Sequence, residues 1–180
     1  MSEANLKRKA LKQVLINELQ RLDFPPSDAE ALAVSEIRKL PKVIVRRYSK
    51  QQLDYMRMKP KECHANCRFM QDNDPEGKCK QVSGYWLQSG NYVFHSVVER
   101  DGEMFCVTPI MTSGPDEIVF IPDPDIEWRT EGNHWVAYRK GVAVEPGFRS
   151  DPIEHKRVAS IILARIEAGM HPLKAGEPPF

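Results

Sequence analysis

Cys63 and His95 are the residues of this sequence whose types could perform covalent chemistry together. Cys63 follows Pro60 and Glu62, which favour the start of a helix, so its thiol falls in the first turn of a predicted helix. Free backbone N–H groups there lower the pKa of a thiol and stabilise an oxyanion. His95, in a predicted strand, could take the proton as the sulfur attacks a carboxamide or acyl carbon. The pair is typical of a thiol hydrolase, although its spacing alone is not diagnostic because catalytic partners meet in space.

The same region is rich in soft or borderline metal ligands. Cys63 and Cys67 are four residues apart in the sequence and would share one face of a helix. The candidate zinc ligands are Cys63, His64, Cys67, Cys79 and Cys106, with His95 as a further choice for the fourth position. There is no Cys-x2-Cys pair in the sequence, so the spacing matches no common zinc module. A zinc-stabilised interaction domain using residues 63–79 is one alternative to the hydrolase, and inert buried cysteines are another.

Helical patterns at both ends of the chain must position this region. Residues 4–22 carry one apolar stripe, formed by Leu11, Leu15, Leu19 and Leu22. Capping boxes predict two more helix starts, at Ser27 with Glu30 and at Ser49 with Gln52. A final helix is expected from Asp151 to Gly169 by the same capping logic.

From Val82 onwards, the middle of the chain has the residue pattern of β-strands separated by turns. Strands are predicted at 82–87, 92–99, 104–108, 118–121, 135–138 and 142–144. Asp101-Gly102 is a strong hairpin signal. A turn centred there places Thr108 opposite His95 and Cys106 opposite Val97, all on one face of the sheet. Cys106 is then a diagonal neighbour of His95.

Helices followed by an antiparallel sheet and another helix make an α+β pattern rather than an alternating parallel one. We expect a helical segment at 1–48, an α+β core domain at 49–168 and a Pro-rich tail at 169–180. In this interpretation the N-terminal helices pack on the antiparallel sheet.

Composition agrees with an ordinary globular chain. The 180 residues are 41% hydrophobic and 28% charged, which argues against wholesale disorder. The net charge of +1 gives no argument for nucleic acid. No apolar run reaches the roughly 18 residues of a membrane span, and the start lacks a secretory pattern. We expect a cytoplasmic protein with reduced cysteines and no membrane partner, acting on a protein or peptide substrate without a cofactor, zinc being the alternative.

Several short motifs resemble those of a group of small bacterial and phage proteins whose order of Cys, His and Asp is similar to papain-like hydrolases and deamidases. The matching pieces are Cys63-His64-Ala65-Asn66, Gly84-Tyr85-Trp86, Phe94-His95-Ser96-Val97-Val98, Val107-Thr108-Pro109 and Phe120-Ile121-Pro122-Asp123. They cover residues 60–125, about a third of the chain. The resemblance implies a papain-like core with Cys63 as the nucleophile and His95 as the base.

The sequence departs from that pattern in two places. Cys106 stands where the group carries an Asp, and a thiol cannot hold an imidazole as a carboxylate does. Residues 55–62 contain no Gln for an oxyanion. Asp123 is the best remaining carboxylate to orient His95, with Asp125 or, more weakly, Thr108 as alternatives. Otherwise the domain has lost catalysis and serves only for interaction.

Three residues near the pair are candidates for substrate binding, namely Asn66, Trp86 and Thr108. Asn66 could instead hold a loop, and Trp86 could belong to the core or its rim. A basic neighbourhood precedes Cys63, formed by Arg46-Arg47, Arg57 and Lys59-Pro60-Lys61. It could steer an acidic substrate or be an ordinary solvated face.

Overall fold

The computed structural model describes residues 3–110 and 115–180. The helices are α1 (Glu3–Leu22), α2 (Asp28–Ile37), α3 (Lys50–Tyr55), α4 (Cys63–Asp72), α5 (Pro152–Glu167) and α6 (Pro172–Ala175). The strands are β1 (Val43–Arg47), β2 (Lys80–Gln88), β3 (Asn91–Arg100), β4 (Glu103–Cys106), β5 (Glu117–Pro122), β6 (Ile126–Glu131), β7 (His134–Arg139), β8 (Val142–Ala143) and β9 (Gly147–Arg149). The chain forms two compact units, one from its two ends (up to Leu32 and from Asp151) and one from Ala33–Ser150. Among the described residues, no helix combines the length and apolar character needed to cross a bilayer.

The first unit is helical. The apolar stripe of α1 is confirmed at Leu15 and Leu19, which pack with Leu163 and Ile166 of α5, whereas Leu11 is exposed. Asp151 caps α5 by accepting a hydrogen bond from the Glu154 backbone. The segment expected to be a Pro-rich tail contains α6, whose Ala175 is buried in the same apolar cluster.

The second unit contains a closed five-stranded β-barrel. Its strands follow the order β2-β5-β1-β4-β3, and pairing of β2 with β3 closes the ring. Four of these contacts are antiparallel, but β1 and β4 run parallel. The predicted α+β class is confirmed, and the predicted antiparallel sheet is corrected to a mixed barrel. The reason is β1, a β-branched and basic segment that inserts between β4 and β5.

Strand alternation fills the barrel from the inside. Val45, Val97, Cys106, Ile118 and Phe120 are buried together in its interior. The hairpin register is the one that Asp101-Gly102 predicts, because Val98 pairs with Phe105. Side chains on the other face of β3 point towards α4, where Val98 packs with Cys67. The site residues of β3 are therefore divided between the barrel interior and the α4 side.

A small antiparallel sheet of β6, β7 and β8 follows the barrel strands in sequence. Strand β6 was not predicted, because its residues Ile126–Glu131 are mostly charged or polar. Pairing with β7 satisfies its backbone groups in spite of that composition.

Candidate active site

The start of α4 positions Cys63 as the sequence predicts. The helix begins at Cys63, with Glu62 as the preceding cap residue, and the thiol side chain is 8% exposed. Asn66, one turn later, accepts a hydrogen bond from the Lys59 N–H at 3.0 Å and donates one to the Lys59 carbonyl at 2.8 Å. Asn66 is thus a buried clamp on the loop that precedes the nucleophile candidate, which is the structural alternative to a binding role.

Burial decides the protonation state of the Cys63 thiol. The backbone N–H groups of Ser96 and His64 donate hydrogen bonds to its sulfur and lower its pKa, as expected at a helix start. Desolvation is the larger effect and leaves the pKa of Cys63 above its usual value. The expectation of a depressed thiol pKa is therefore wrong, because the sequence reveals the helix start but not the depth of burial.

His95 lies on β3 with its ring inside the barrel and 5% of the residue exposed. Its Nε2 is 3.4 Å from the Sγ of Cys106, the diagonal neighbour predicted from the hairpin register. The ring also lies 5.6 Å from Trp86 and 6.3 Å from Phe120, measured between ring centroids. Burial lowers the pKa of His95 to about 3, with smaller effects from His64 and Arg47, so the imidazole is neutral near pH 7.

Cys63 and His95 are both connected to one short stretch of β3, because His95 belongs to this strand and Cys63 interacts with its next residue, Ser96. Cys63 receives the N–H of Ser96, the residue next to His95, and the Cys106 thiol contributes to its raised pKa. Among the described residues, no hydrogen bond joins Cys63 to His95, and the Nδ1 atom of His95 has no hydrogen-bond partner. Cys106 therefore links the two candidates, because it contacts the His95 ring through Nε2 and also acts on the pKa of the Cys63 thiol.

Asp123 does not reach this neighbourhood through a hydrogen bond. Its Oδ2 accepts from Arg139 Nε at 2.6 Å and its Oδ1 accepts from the Asp125 backbone at 3.0 Å. Arg139 also forms an ion pair with Glu36 on α2. The carboxylate expected to orient His95 is instead committed to a buried ion-pair network, and the Cys106 sulfur is the group that contacts the His95 ring.

Trp86 lies beside the imidazole, whereas Thr108 lies two residues beyond the end of β4 at Cys106. Trp86 is half-buried, with its ring between His95 and the guanidinium of Arg47, whose Cζ lies 5.7 Å from the ring centroid. Thr108 is buried, and its Oγ1 has no hydrogen-bond partner among the described residues. An unpaired buried hydroxyl carries a desolvation cost that a ligand could relieve.

The candidate zinc ligands do not assemble. The described part of the chain contains no group of three or more His, Cys, Asp or Glu side chains arranged to hold a metal ion. All four cysteines are free and buried. Cys67 and Cys79 lie in an apolar cluster with Leu53, Met58 and Val98, which is the environment of inert thiols.

A buried polar network on the α4 side of β3 was missed by sequence reasoning. Ser96 Oγ lies 2.8 Å from His64 Nδ1 and 3.2 Å from Ser83 Oγ, and it accepts from Gln81 Nε2 at 3.1 Å. Ser83 Oγ also accepts from Trp128 Nε1 at 2.9 Å. Burial lowers the pKa of His64 to about 4, so this ring is neutral as well. The available signal was the register of β2 and β3, which pairs the two serines directly.

Alkylation should report the raised pKa of Cys63 directly. At neutral pH we expect iodoacetamide to label the Cys63 peptide more slowly than a free cysteine peptide in the same tube, because only the thiolate reacts. The rate should keep rising above pH 9 instead of levelling off. Peptide mass mapping against time gives both rates. Labelling faster than the free peptide at pH 7 would contradict the raised pKa.

Comparison with known proteins adds no relative. No protein-family model matches the chain, and neither the curated proteins nor the solved structures contain a match. The site must be interpreted from its own geometry.

Proposed function

We propose that this protein is a cysteine-dependent amide or acyl hydrolase or deamidase, with Cys63 as nucleophile and His95 as general base in a papain-like arrangement. The observation that supports it is the state of the His95 ring. Nε2 lies 3.4 Å from the Cys106 sulfur, and no described residue forms a hydrogen bond with Nδ1. An imidazole fixed through one nitrogen and open at the other is what a general base requires.

The tautomer follows from the contacts. When Nε2–H donates to the Cys106 sulfur, Nδ1 carries the lone pair. As the Cys63 sulfur bonds to the carbonyl carbon of a bound amide, Nδ1 takes the thiol proton and then gives it to the departing amine, or to ammonia in a deamidation. Water, deprotonated by the same nitrogen, adds to the thioester and releases the acid and the Cys63 thiol.

Backbone N–H groups around the Cys63 sulfur support the nucleophile in this mechanism. The amides of Ser96 and His64 donate to the Cys63 sulfur and stabilise negative charge as it develops there. Because the thiol and the imidazole are both neutral at rest, the proton moves during the attack and no ion pair precedes it. The missing Cys63–His95 hydrogen bond then has to form when substrate binds, as apo sites often require.

Hydrolysis of p-nitrophenyl acetate tests the proposal because thiol acylation releases coloured nitrophenol. We expect a fast first turnover in the wild type that falls by about two orders of magnitude or more in Cys63→Ala and in His95→Gln. Cys79→Ala is the matched control, since this thiol is buried elsewhere and should leave the rate within about twofold. Equal first-turnover rates in Cys63→Ala and Cys79→Ala would contradict the assignment of Cys63 as the nucleophile.

The proposal includes a cytoplasmic location and a protein or peptide substrate. Four free cysteines are typical of a reducing compartment. The resemblance to small bacterial and phage proteins belongs to the same proposal.

A catalytically inactive interaction domain is the second candidate, favoured by the contact of Cys106 with His95. A thiol is a weak acceptor, and it leaves the base without the carboxylate that would strengthen it. Cys106→Asp separates the two functions. A hydrolase should acylate faster in this variant, because a carboxylate at Nε2 raises the pKa of His95. If neither wild type nor Cys106→Asp shows a first turnover that depends on Cys63, the interaction domain is favoured. Metal analysis that finds about one zinc ion per chain would favour its zinc-stabilised form.

A further inference from the structure

Arg47 is a buried guanidinium without a counter-charge. It is 8% exposed, yet the described residues provide no carboxylate within ion-pair distance of it. Nη1 donates to the Pro115 carbonyl at 2.7 Å, and Nε has no partner among the described residues. Taking an unpaired charge out of water costs several kcal/mol, so a buried guanidinium without a partner calls for an explanation such as a bound counter-charge.

The position of Arg47 ties it to the candidate active site. Strand β1 runs beside β4 with Arg47 and Cys106 as register partners, and Cys106 contacts His95. The Trp86 ring lies against both the guanidinium and the imidazole. The positive charge of Arg47 also acts on His95, whose pKa it helps to lower.

Arg47 lines a surface cavity of about 860 Å³ together with two other cationic residues, Arg46 and Lys50. Asp116 and Glu117 also line it. Glu117 is 3.9 Å from Arg46, and neither acid forms an ion pair with Arg47 in the described structure. The two exposed cations each have an acidic partner, Glu117 for Arg46 and Asp54 for Lys50, whereas the described residues provide none for Arg47.

We propose that this cavity binds a carboxylate of the substrate, held by Arg47 beside the reacting amide. A planar guanidinium matches a carboxylate in a two-point hydrogen-bonded pair, and a carboxylate would supply the missing counter-charge. The substrate part of this inference rests on the proposed function. The preferred substrate is then an amide with an acidic side chain or a chain-terminal carboxylate next to the scissile bond. Binding itself does not depend on Cys63.

Titration with glutarate, followed by tryptophan fluorescence, tests carboxylate binding because Trp86 lies against Arg47. We expect saturable quenching by glutarate and none by the uncharged glutaramide. Arg47→Gln should weaken glutarate binding at least about tenfold. Arg157→Gln is the matched control, because that residue does not line the cavity and its side chain is 47% exposed, and it should stay within about twofold. Glutarate and glutaramide quenching alike, or equal loss in both variants, would overturn the proposal.

The same titration on Cys63→Ala keeps this inference separate from the hydrolase. Glutarate should bind that variant as it binds wild type, whether or not Cys63 acylates. Thermal unfolding of Arg47→Met is a second, independent test, which remains informative even if Arg47→Gln does not fold. A ligand-binding Arg47 predicts an unchanged or higher unfolding temperature, since an unpaired buried charge is removed. A large drop together with no glutarate binding in the wild type would make Arg47 purely structural.

Discussion

Gly84→Ala is expected to lower the free energy of unfolding by at least about 3 kcal/mol. Gly84 lies on β2 where this strand pairs with β3 on one side and β5 on the other. A Cβ atom there would come 2.1 Å from the Ile121 carbonyl oxygen and 2.9 Å from Phe120 Cζ. The oxygen belongs to the backbone and cannot rotate away, so the seam of the barrel must open. His95 is the register partner of Gly84, and the site should be disturbed with it.

Gly102→Ala separates this clash from ordinary glycine effects. Gly102 has a φ of +82° and nothing within 4 Å of a built Cβ, so alanine there costs only the backbone conformation, about 1 kcal/mol. Urea unfolding of both variants followed by circular dichroism gives the comparison. Similar midpoints for Gly84→Ala and Gly102→Ala would mean that β2 and β5 do not approach as closely as described.

Acidification should destabilise the fold through its buried histidines, before most carboxylates titrate. The folded pKa of His95 is about 3 and that of His64 about 4, both below the usual 6.5. Their stabilising effect is complete above pH 6.5 and is lost as pH falls towards those values, because the unfolded chain binds protons first. Between pH 6.5 and 4.5 each ring should cost on the order of 2 kcal/mol of unfolding free energy.

Variants at histidine assign this loss to the correct rings. His95→Gln should flatten the decline between pH 6.5 and 4.5, whereas His134→Gln, at an exposed position of β7, should leave it unchanged. Proton NMR provides a second measurement that needs no variant to fold. The His95 ring signals should keep their neutral-form shifts down to pH 5. A midpoint near 6.5 for those signals would contradict the described burial.

Local features of the fold could be predicted because they depend on few neighbours. The capping box at Ser49 and Gln52 forms as expected, and the Asp101-Gly102 turn sets the β3–β4 register. Barrel closure could not be predicted, because the parallel pairing of β1 with β4 joins segments about sixty residues apart and leaves no local pattern. Strand β6 could not be predicted either, because its mostly polar residues carry no strand pattern and only the pairing with β7 defines it.

The site divides in the same way. The position of Cys63 and the diagonal contact of Cys106 with His95 follow from a helix start and a hairpin register, which the sequence encodes directly. The raised pKa of Cys63 does not, because burial depends on every element packed around the thiol. The ion pair of Asp123 with Arg139 likewise needs a strand contributed by a later part of the chain. Long-range packing therefore decided the electrostatics of the site.

Locating the acyl group is the most direct test of a Cys63 nucleophile. Wild-type protein mixed with p-nitrophenyl acetate, quenched in acid and mapped by peptide mass spectrometry should carry an acetyl group on the Cys63 peptide. Cys79→Ala should carry it too, and His95→Gln should acquire it far more slowly. An acetyl group found only on other side chains, or formed on Cys63 at the same rate without His95, would contradict the proposed mechanism.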